Sequence, residues 1–257
     1  MIGLLVFCVG SRAMNVKGKI RYFSLFLALV VFIGGCRQVR LLEVKRQLGS
    51  FDTYFQVKEE HGPALVFLRP VLLQSDILWL TQEVPTTNEV TDEGILWTYV
   101  FEKQSPARHS EEPSFAIDVS MLFQNRKLYE VRYPHRFHTV LSKDFLIGTL
   151  RSLAHAENNI TKRSLSAKWT PAASSAPITM PDRYDLIRVL GNPFSVENSK
   201  HASTLTYKYQ FKGPSCRRER GESRLWITFI FRRADEQLLQ TKAHFNGREI
   251  SVHFSPG

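Results

Sequence analysis

The chain has 257 residues, of which 43% are hydrophobic and 12% aromatic, with a formal charge of +10. That apolar content excludes an intrinsically disordered chain. The length suits one large domain or two of ordinary size.

The first informative stretch is Lys17–Cys36, KGKIRYFSLFLALVVFIGGC. Lys17, Lys19 and Arg21 give a basic start, an apolar run follows, and Gly34-Gly35 precede Cys36. This order is that of a secretory signal. Tyr22 to Gly35 is 14 residues, short of the roughly 20 that span a bilayer. The closing Ile-Gly-Gly-Cys resembles the lipobox of bacterial lipoproteins. The resemblance implies cleavage between Gly35 and Cys36, lipidation of the Cys36 thiol and acylation of the new N-terminus. More than one acyl chain gives stable anchoring. Arg37 after the cysteine, in place of Asp, fits an outer-membrane lipoprotein facing the periplasm if the source is Gram-negative. Met14 opens a conventional signal, MNVKGKIRYF, so translation is expected to start there, with residues 1–13 a gene-calling artefact.

Residues 1–35 hold four basic side chains and no acid, leaving +6 on the remainder. On an exported chain this speaks against nucleic acid. It reads first as a solvated face and second as contact with anionic lipid. With Cys8 before the signal and Cys36 lipidated, Cys216 is alone, so no internal disulfide forms and the fold rests on burial.

Residues 36–49 are the lipidated N-terminal segment, in which RQVRLLEVKRQL (37–48) reads as a first strand or a helical turn. Strands are expected over 51–57 and 64–67, with a Gly62-Pro63 turn between them. LLQSDILWLTQ (72–82) has helical spacing, and ILWTYVFE (95–102), FAIDVSMLF (115–123) and KLYEVRY (127–133) alternate as half-buried strands. Residues 142–157 read as a helix with Ser142 as its N-cap. The polar stretch 158–179, with TPAASSAPIT, reads as a linker. In MPDRYDLIRVLGNP (180–193), Pro181 suits the first helical position and Gly191 the C-terminal cap. Strands follow over 204–212, 225–231 and 238–245, with a short one over 249–254.

The two halves repeat. A displacement of 108 residues carries Pro85 to Pro193, Tyr99 to Tyr207, Phe101 to Tyr209, Ile117 to Leu225, Val119 to Ile227, Met121 to Phe229 and Phe123 to Phe231. With a slip of one residue, Asp76-Ile77-Leu78 falls on Asp185-Leu186-Ile187. The expected fold is therefore α+β, two tandem two-layer modules (50–157 and 180–257), each a helix on an antiparallel sheet of three or four strands. LIRVLGNP (186–193), TYKYQF (206–211), WITFIF (226–231) and LLQTK (238–242) resemble the SmpA/OmlA family, which includes a lipoprotein of the outer-membrane β-barrel assembly machine. That resemblance implies a helix layer packed on such a sheet, a unit that β-lactamase inhibitor proteins carry in tandem.

Catalytic motifs do not emerge. His135 and His138 are three apart without the companions of a metal site. No nucleophile elbow, phosphate loop or dinucleotide motif occurs. Ser195 falls in an expected loop, while Asp185 and Glu111-Glu112 lack a partner arrangement. Binding features are the basic run Arg217, Arg218, Arg220 and Arg224, a candidate contact for anionic lipid or an acidic protein face, and the aromatic row Tyr207, Tyr209, Phe211, Trp226 and Phe229. The expectation is a lipid-anchored, non-catalytic interaction or assembly scaffold of the cell envelope, without metal or cofactor, held to the membrane by its anchor and bound to an envelope protein. The alternatives are a ligand binder or enzyme using the concave sheet face, and an inhibitor-like binding protein.

Overall fold

Ser203, Leu205, Tyr207, Tyr209 and Phe211 are all buried, and the residues between them are only half-buried. A strand with period-two burial must lie with one face on a core, and this strand sits at the middle of the molecule. The computed structural model describes residues 37–60, 62–104, 115–159, 161–169, 180–214 and 224–254. The signal stretch with Met14, Gly35 and Cys36, and also Cys216, Arg217, Arg218 and Arg220, lie outside the described residues.

A helix over residues 37–49 (α1) leads into α2 (Phe51–Tyr54), β1 (Phe55–Lys58) and β2 (Ala64–Phe67). Then come α3 (Gln74–Thr81), β3 (Thr87–Thr91), β4 (Gly94–Lys103), β5 (Ile117–Gln124) and β6 (Lys127–Arg132). A 3-10 turn (His135–Thr139), α4 (Lys143–Ala154), β7 (Glu157–Asn159) and β8 (Ser164–Lys168) follow. The chain closes with α5 (Arg183–Leu190), β9 (Ser195–Asn198), β10 (Ala202–Lys212), β11 (Arg224–Arg232), β12 (Leu238–Phe245) and β13 (Arg248–His253).

All thirteen strands join one sheet, ordered β1-β2-β6-β5-β4-β10-β11-β12-β13-β8-β7, with β3 added to β4 and β9 to β10. Among the described strands only β13 and β8 pair in parallel. The fold is thus α+β and dominated by its sheet, which runs unbroken through both halves where two separate sheets were expected. Its path ends at the four-residue β1 and the three-residue β7, and the five-residue β3 and four-residue β9 leave further short edges.

Of the two readings of residues 37–48, strand or helical turn, the helical one holds. Several other local expectations are corrected. The strand expected over 51–57 starts instead as the helical turn α2, because Phe51 and Phe55, one turn apart, stack with centroids 5.2 Å apart. The stretch expected as a linker contributes β8, whose Ala167 is buried beside Val252 of β13. Ser195, expected in a loop, opens β9. Asp182, not a residue before Pro181, caps α5, its carboxylate accepting from the Asp185 amide at 2.7 Å. Ser142 takes the N-cap position of α4 but makes no side-chain cap bond.

The pairing registers repeat with the sequence. Tyr99 faces Val119 as Tyr207 faces Ile227. Thr87 faces Thr98 as Ser195 faces Thr206. Each outgoing strand carries a bulge at the matching place, between Leu122 and Phe123 in β5 and between Ile230 and Phe231 in β11. Past the bulges Phe123 meets Leu128 and Phe231 meets Leu238, and both leucines are buried. The halves meet where β4 pairs antiparallel with β10: Phe101 faces Phe211, Glu102 faces Gln210, and Lys103 faces Tyr209. Exchanging the halves maps these pairs onto one another and leaves Glu102–Gln210 on itself. The junction has the register of a two-fold interface within one chain.

Helices lie on one face. α3 starts at the β5–β6 turn, where Gln74 donates to the Arg126 carbonyl at 3.3 Å, and ends at the β12–β13 turn of the other half. There Asn246 donates to the Thr81 carbonyl at 2.7 Å, and the Arg248 guanidinium donates to the Leu80 carbonyl and lies 4.7 Å over the Trp79 ring. A cation at a helix C-terminus is favourable. α5 ends against Phe115: a Cβ on Gly191 (φ +70°) would come within 2.6 Å of that ring. Gly94 (φ +144°) is also obligatory, since a Cβ there would lie 2.3 Å from the Phe123 carbonyl oxygen.

Phe211 packs at the junction with ring centroids 5.8 Å from Tyr99 and 5.6 Å from Phe101. Phe211→Ala is expected to cost about 3–5 kcal/mol. Urea unfolding should show the loss as one transition covering the whole sheet, whereas two transitions would mean that the halves unfold independently.

Candidate functional site

The strands' other face carries no helix among the described residues, and there the two halves diverge. At the outward positions of the first half and its rim stand Glu89, Glu93, Glu102, Asp118 and Glu130 against Lys58, Lys127 and Arg132. In the second half stand Lys168, Lys208, Lys212, Arg224, Arg232 and Lys242 against Glu157, Glu197 and Glu249. The outer face is therefore acidic at one end and basic at the other.

The acidic end holds an open-sided cleft of about 460 Å³, lined by Lys58, Glu60, Glu93, Gln124, Tyr129, Glu130 and Arg132 over a floor of Ala64 and Leu122. Glu130 is only 6% exposed, and its carboxylate accepts from Arg132 Nε at 2.6 Å. The same guanidinium reaches Glu93 at 2.9 Å. A buried carboxylate needs such a partner. With Arg132 taken up by these two carboxylates, the cleft can present Lys58 to an anion and Glu60 to a cation. It lies on the sheet face away from the helices.

The basic end carries a cross-strand row. Lys208 faces Trp226, Trp226 faces His244, and His244 faces Glu249. The Lys208 ammonium lies 3.8 Å from the Phe194 ring centroid and 5.3 Å from that of Trp226, and the Trp226 and His244 rings are 6.1 Å apart. Trp226 is 42% exposed. Of the expected aromatic row, Tyr207, Tyr209 and Phe211 are core, and Phe229 is half-buried on the same side. Of the expected basic run only Arg224 is described, exposed at the start of β11 and opposite Gln210.

The other candidates are not drawn together. His135 and His138 lie in the 3-10 turn with rings 6.5 Å apart, and His138 is 3.8 Å from Glu59. Among the described residues no three metal-binding side chains converge. Asp185 serves its helix, accepting from Arg188 at 2.5 Å. Glu111 and Glu112 lie outside the described residues. No described helix is long and apolar enough to cross a membrane.

Sequence reasoning did not find the cleft, because its residues come from β1, β2, β5, β6 and two turns. It also passed over Lys208, Lys242 and His244. Alternation in TYKYQF already places Lys208 opposite Tyr207 and Tyr209, and that was the available signal. Comparison with protein families, curated proteins and solved structures finds no match for the chain.

Beneath the sheet the Tyr207 and Tyr209 hydroxyls are fully buried with no acceptor among the described residues, and burial pushes both up from their ordinary value. A folded-state value above the unfolded one gives stability that is complete below about pH 10 and lost as pH rises beyond it. Phe101 occupies the place equivalent to Tyr209, so the core accepts a ring without the hydroxyl there. Tyr209→Phe is expected to leave stability at neutral pH within about 1 kcal/mol or raise it, and to shift the alkaline unfolding midpoint upward. Tyrosinate absorbance followed alongside circular dichroism measures both.

Arg132→Ala is expected to cost about 1–2 kcal/mol, reduced from a fully buried pair by the partial exposure of the arginine. Glu130→Gln in the same chain should recover part of it. Additive losses in that double-mutant cycle would show that the pair is not coupled.

Proposed function

We propose that the chain is a lipid-anchored protein of the cell envelope that acts as a non-catalytic interaction or assembly scaffold. The observation carrying this reading is an extended, helix-free sheet face with segregated charge, on a chain whose Ile-Gly-Gly-Cys stretch resembles a lipobox. Such a face offers breadth rather than an enclosed, water-excluding site, and breadth suits macromolecular contact. The resemblance of 186–193 and the strands after it to the SmpA/OmlA family points the same way and suggests a part in envelope assembly.

The scaffold is read as two α+β modules fused in tandem. The common displacement of pairing registers and the matching bulges support duplication, and the two-fold register of the β4–β10 junction supports modules joined edge to edge. The acidic end would then serve a protein partner and the basic end a negatively charged one. Binding of a small polar ligand is the second reading, favoured by the cleft around Glu93, Glu130 and Arg132.

Metabolic labelling of the full chain with a clickable fatty acid tests the anchor. Label should appear on the wild-type protein and vanish in Cys36→Ala, which should also leave the membrane fraction. Label retained in that variant would sink the lipoprotein reading. Photo-crosslinkers at Glu93 and at Thr228 then separate the scaffold from the ligand binder: a protein adduct at either position is expected.

A further inference from the structure

We propose that the outer face of the second half, centred on Lys208, Trp226 and Lys242, docks on the head groups of an anionic phospholipid bilayer. The inference rests on the envelope location proposed above and names the surface that meets the lipid.

The repeat supplies an internal control. Lys208 and Trp226 occupy the places that Val100 and Asp118 hold in the first half, in the same strand pair and register. The same sheet geometry forms with valine and aspartate there, so folding does not demand the lysine and tryptophan. Lys242 faces Thr228 across the next strand pair and stands where the first half has Arg132. Arg132 is taken up by Glu130 and Glu93, whereas position 240, equivalent to Glu130, is Gln. No described carboxylate lies within ion-pair distance of Lys242 or Lys208. At Lys242 the second half has thus kept the cation and lost its carboxylate partner, and at Lys208 it has gained a cation.

The kind of surface decides the occupant. Neighbouring strands are about 4.8 Å apart, so Lys208, Trp226 and His244 form a row across a broad sheet. The partly exposed Trp226 ring supplies an apolar body and a polar N–H, the combination that settles at the head-group level of a bilayer. Lys168 extends the positive field along the same face, and cations near an anionic leaflet add to binding roughly independently. A phospholipid surface presents negative charge as an array, which suits cations spread over an open face.

The test uses the full chain reconstituted through its own N-terminal segment, so that anchoring is common to every sample. Vesicles of phosphatidylcholine, with or without phosphatidylglycerol, carry bromine high on the acyl chains. Trp226 emission is isolated by difference from Trp226→Phe. Bromine is expected to quench Trp226 only where phosphatidylglycerol is present. Raising the salt should relieve the quenching. Lys208→Gln and Lys242→Gln should each lower the ratio of docked to undocked protein about fivefold, and Lys127→Gln on the first half should not. Equal quenching on both vesicle types, no quenching on either, or full quenching in the double lysine variant would overturn the proposal. So would an unquenched Trp226 with an acidic protein crosslinked at Thr228. Quenching that persists although Cys36 carries no lipid would strike the anchor reading alone, whereas a lipidated Cys36 with an unquenched Trp226 would strike only this one.

Discussion

The pairing of β4 with β10 is the constraint on which the rest depends. It is short, running from Val100–Lys212 to Lys103–Tyr209. It nevertheless turns two edge strands into interior ones, and unpaired edges are a liability. The same edges carry the small strands β3 and β9 beyond the junction, so little of either long strand is left open. The aromatic contacts among Tyr99, Phe101, Phe211 and Phe245 sit directly beneath the join. Hydrogen bonding and burial therefore act at one place. The helices reinforce it, since α3 is clamped at its far end by the Asn246-Gly247 turn of the other half.

Once the join is made, the two faces have separate duties. The helix-bearing face must hide large apolar side chains, and its residues are held by packing at the junction and under α4 and α5. The outer face needs only strand-forming residues that tolerate water. Threonine and serine fill equivalent cross-strand pairs there, Thr98 with Ser120 and Thr206 with Thr228. Around those common pairs the halves differ in charge, and a difference of charge in a shared geometry carries more information about binding than the geometry does.

Much of the fold was legible because alternation is a local signal. The strands around Tyr99, Val119, Tyr207 and Ile227 follow from period-two burial, and α4 from its apolar stripe. The repeat was legible because the same aromatic positions recur at one displacement. Failures came where tertiary contacts override local pattern. Phe51 to Val57 alternates well enough for a strand, yet stacking of Phe51 on Phe55 holds its start in a helical turn. Ser164 to Lys168 is polar enough for a linker, yet its register beside β13 buries Ala167. The cleft was out of reach, since nothing in the order of the chain brings Glu93 to Arg132. The basic end was half legible: the arginines of 217–224 stand out as a run, while Lys208 and Lys242 are single residues among strand positions and gain meaning only from the face they share.

The short open edges have a consequence for solubility. A sheet that grows by edge-to-edge pairing, as the central join does, could in principle recruit further copies and become a fibre. Here the edges are short. β1 ends after four residues, and β7 offers only Glu157, Asn158 and Asn159, all exposed. β3 and β9, each paired on one side, add edges of only five and four residues, so all of these edges are short. The single join within the chain therefore does not invite one between chains, and a protein concentrated at a surface can keep a broad bare sheet without polymerising through its ends.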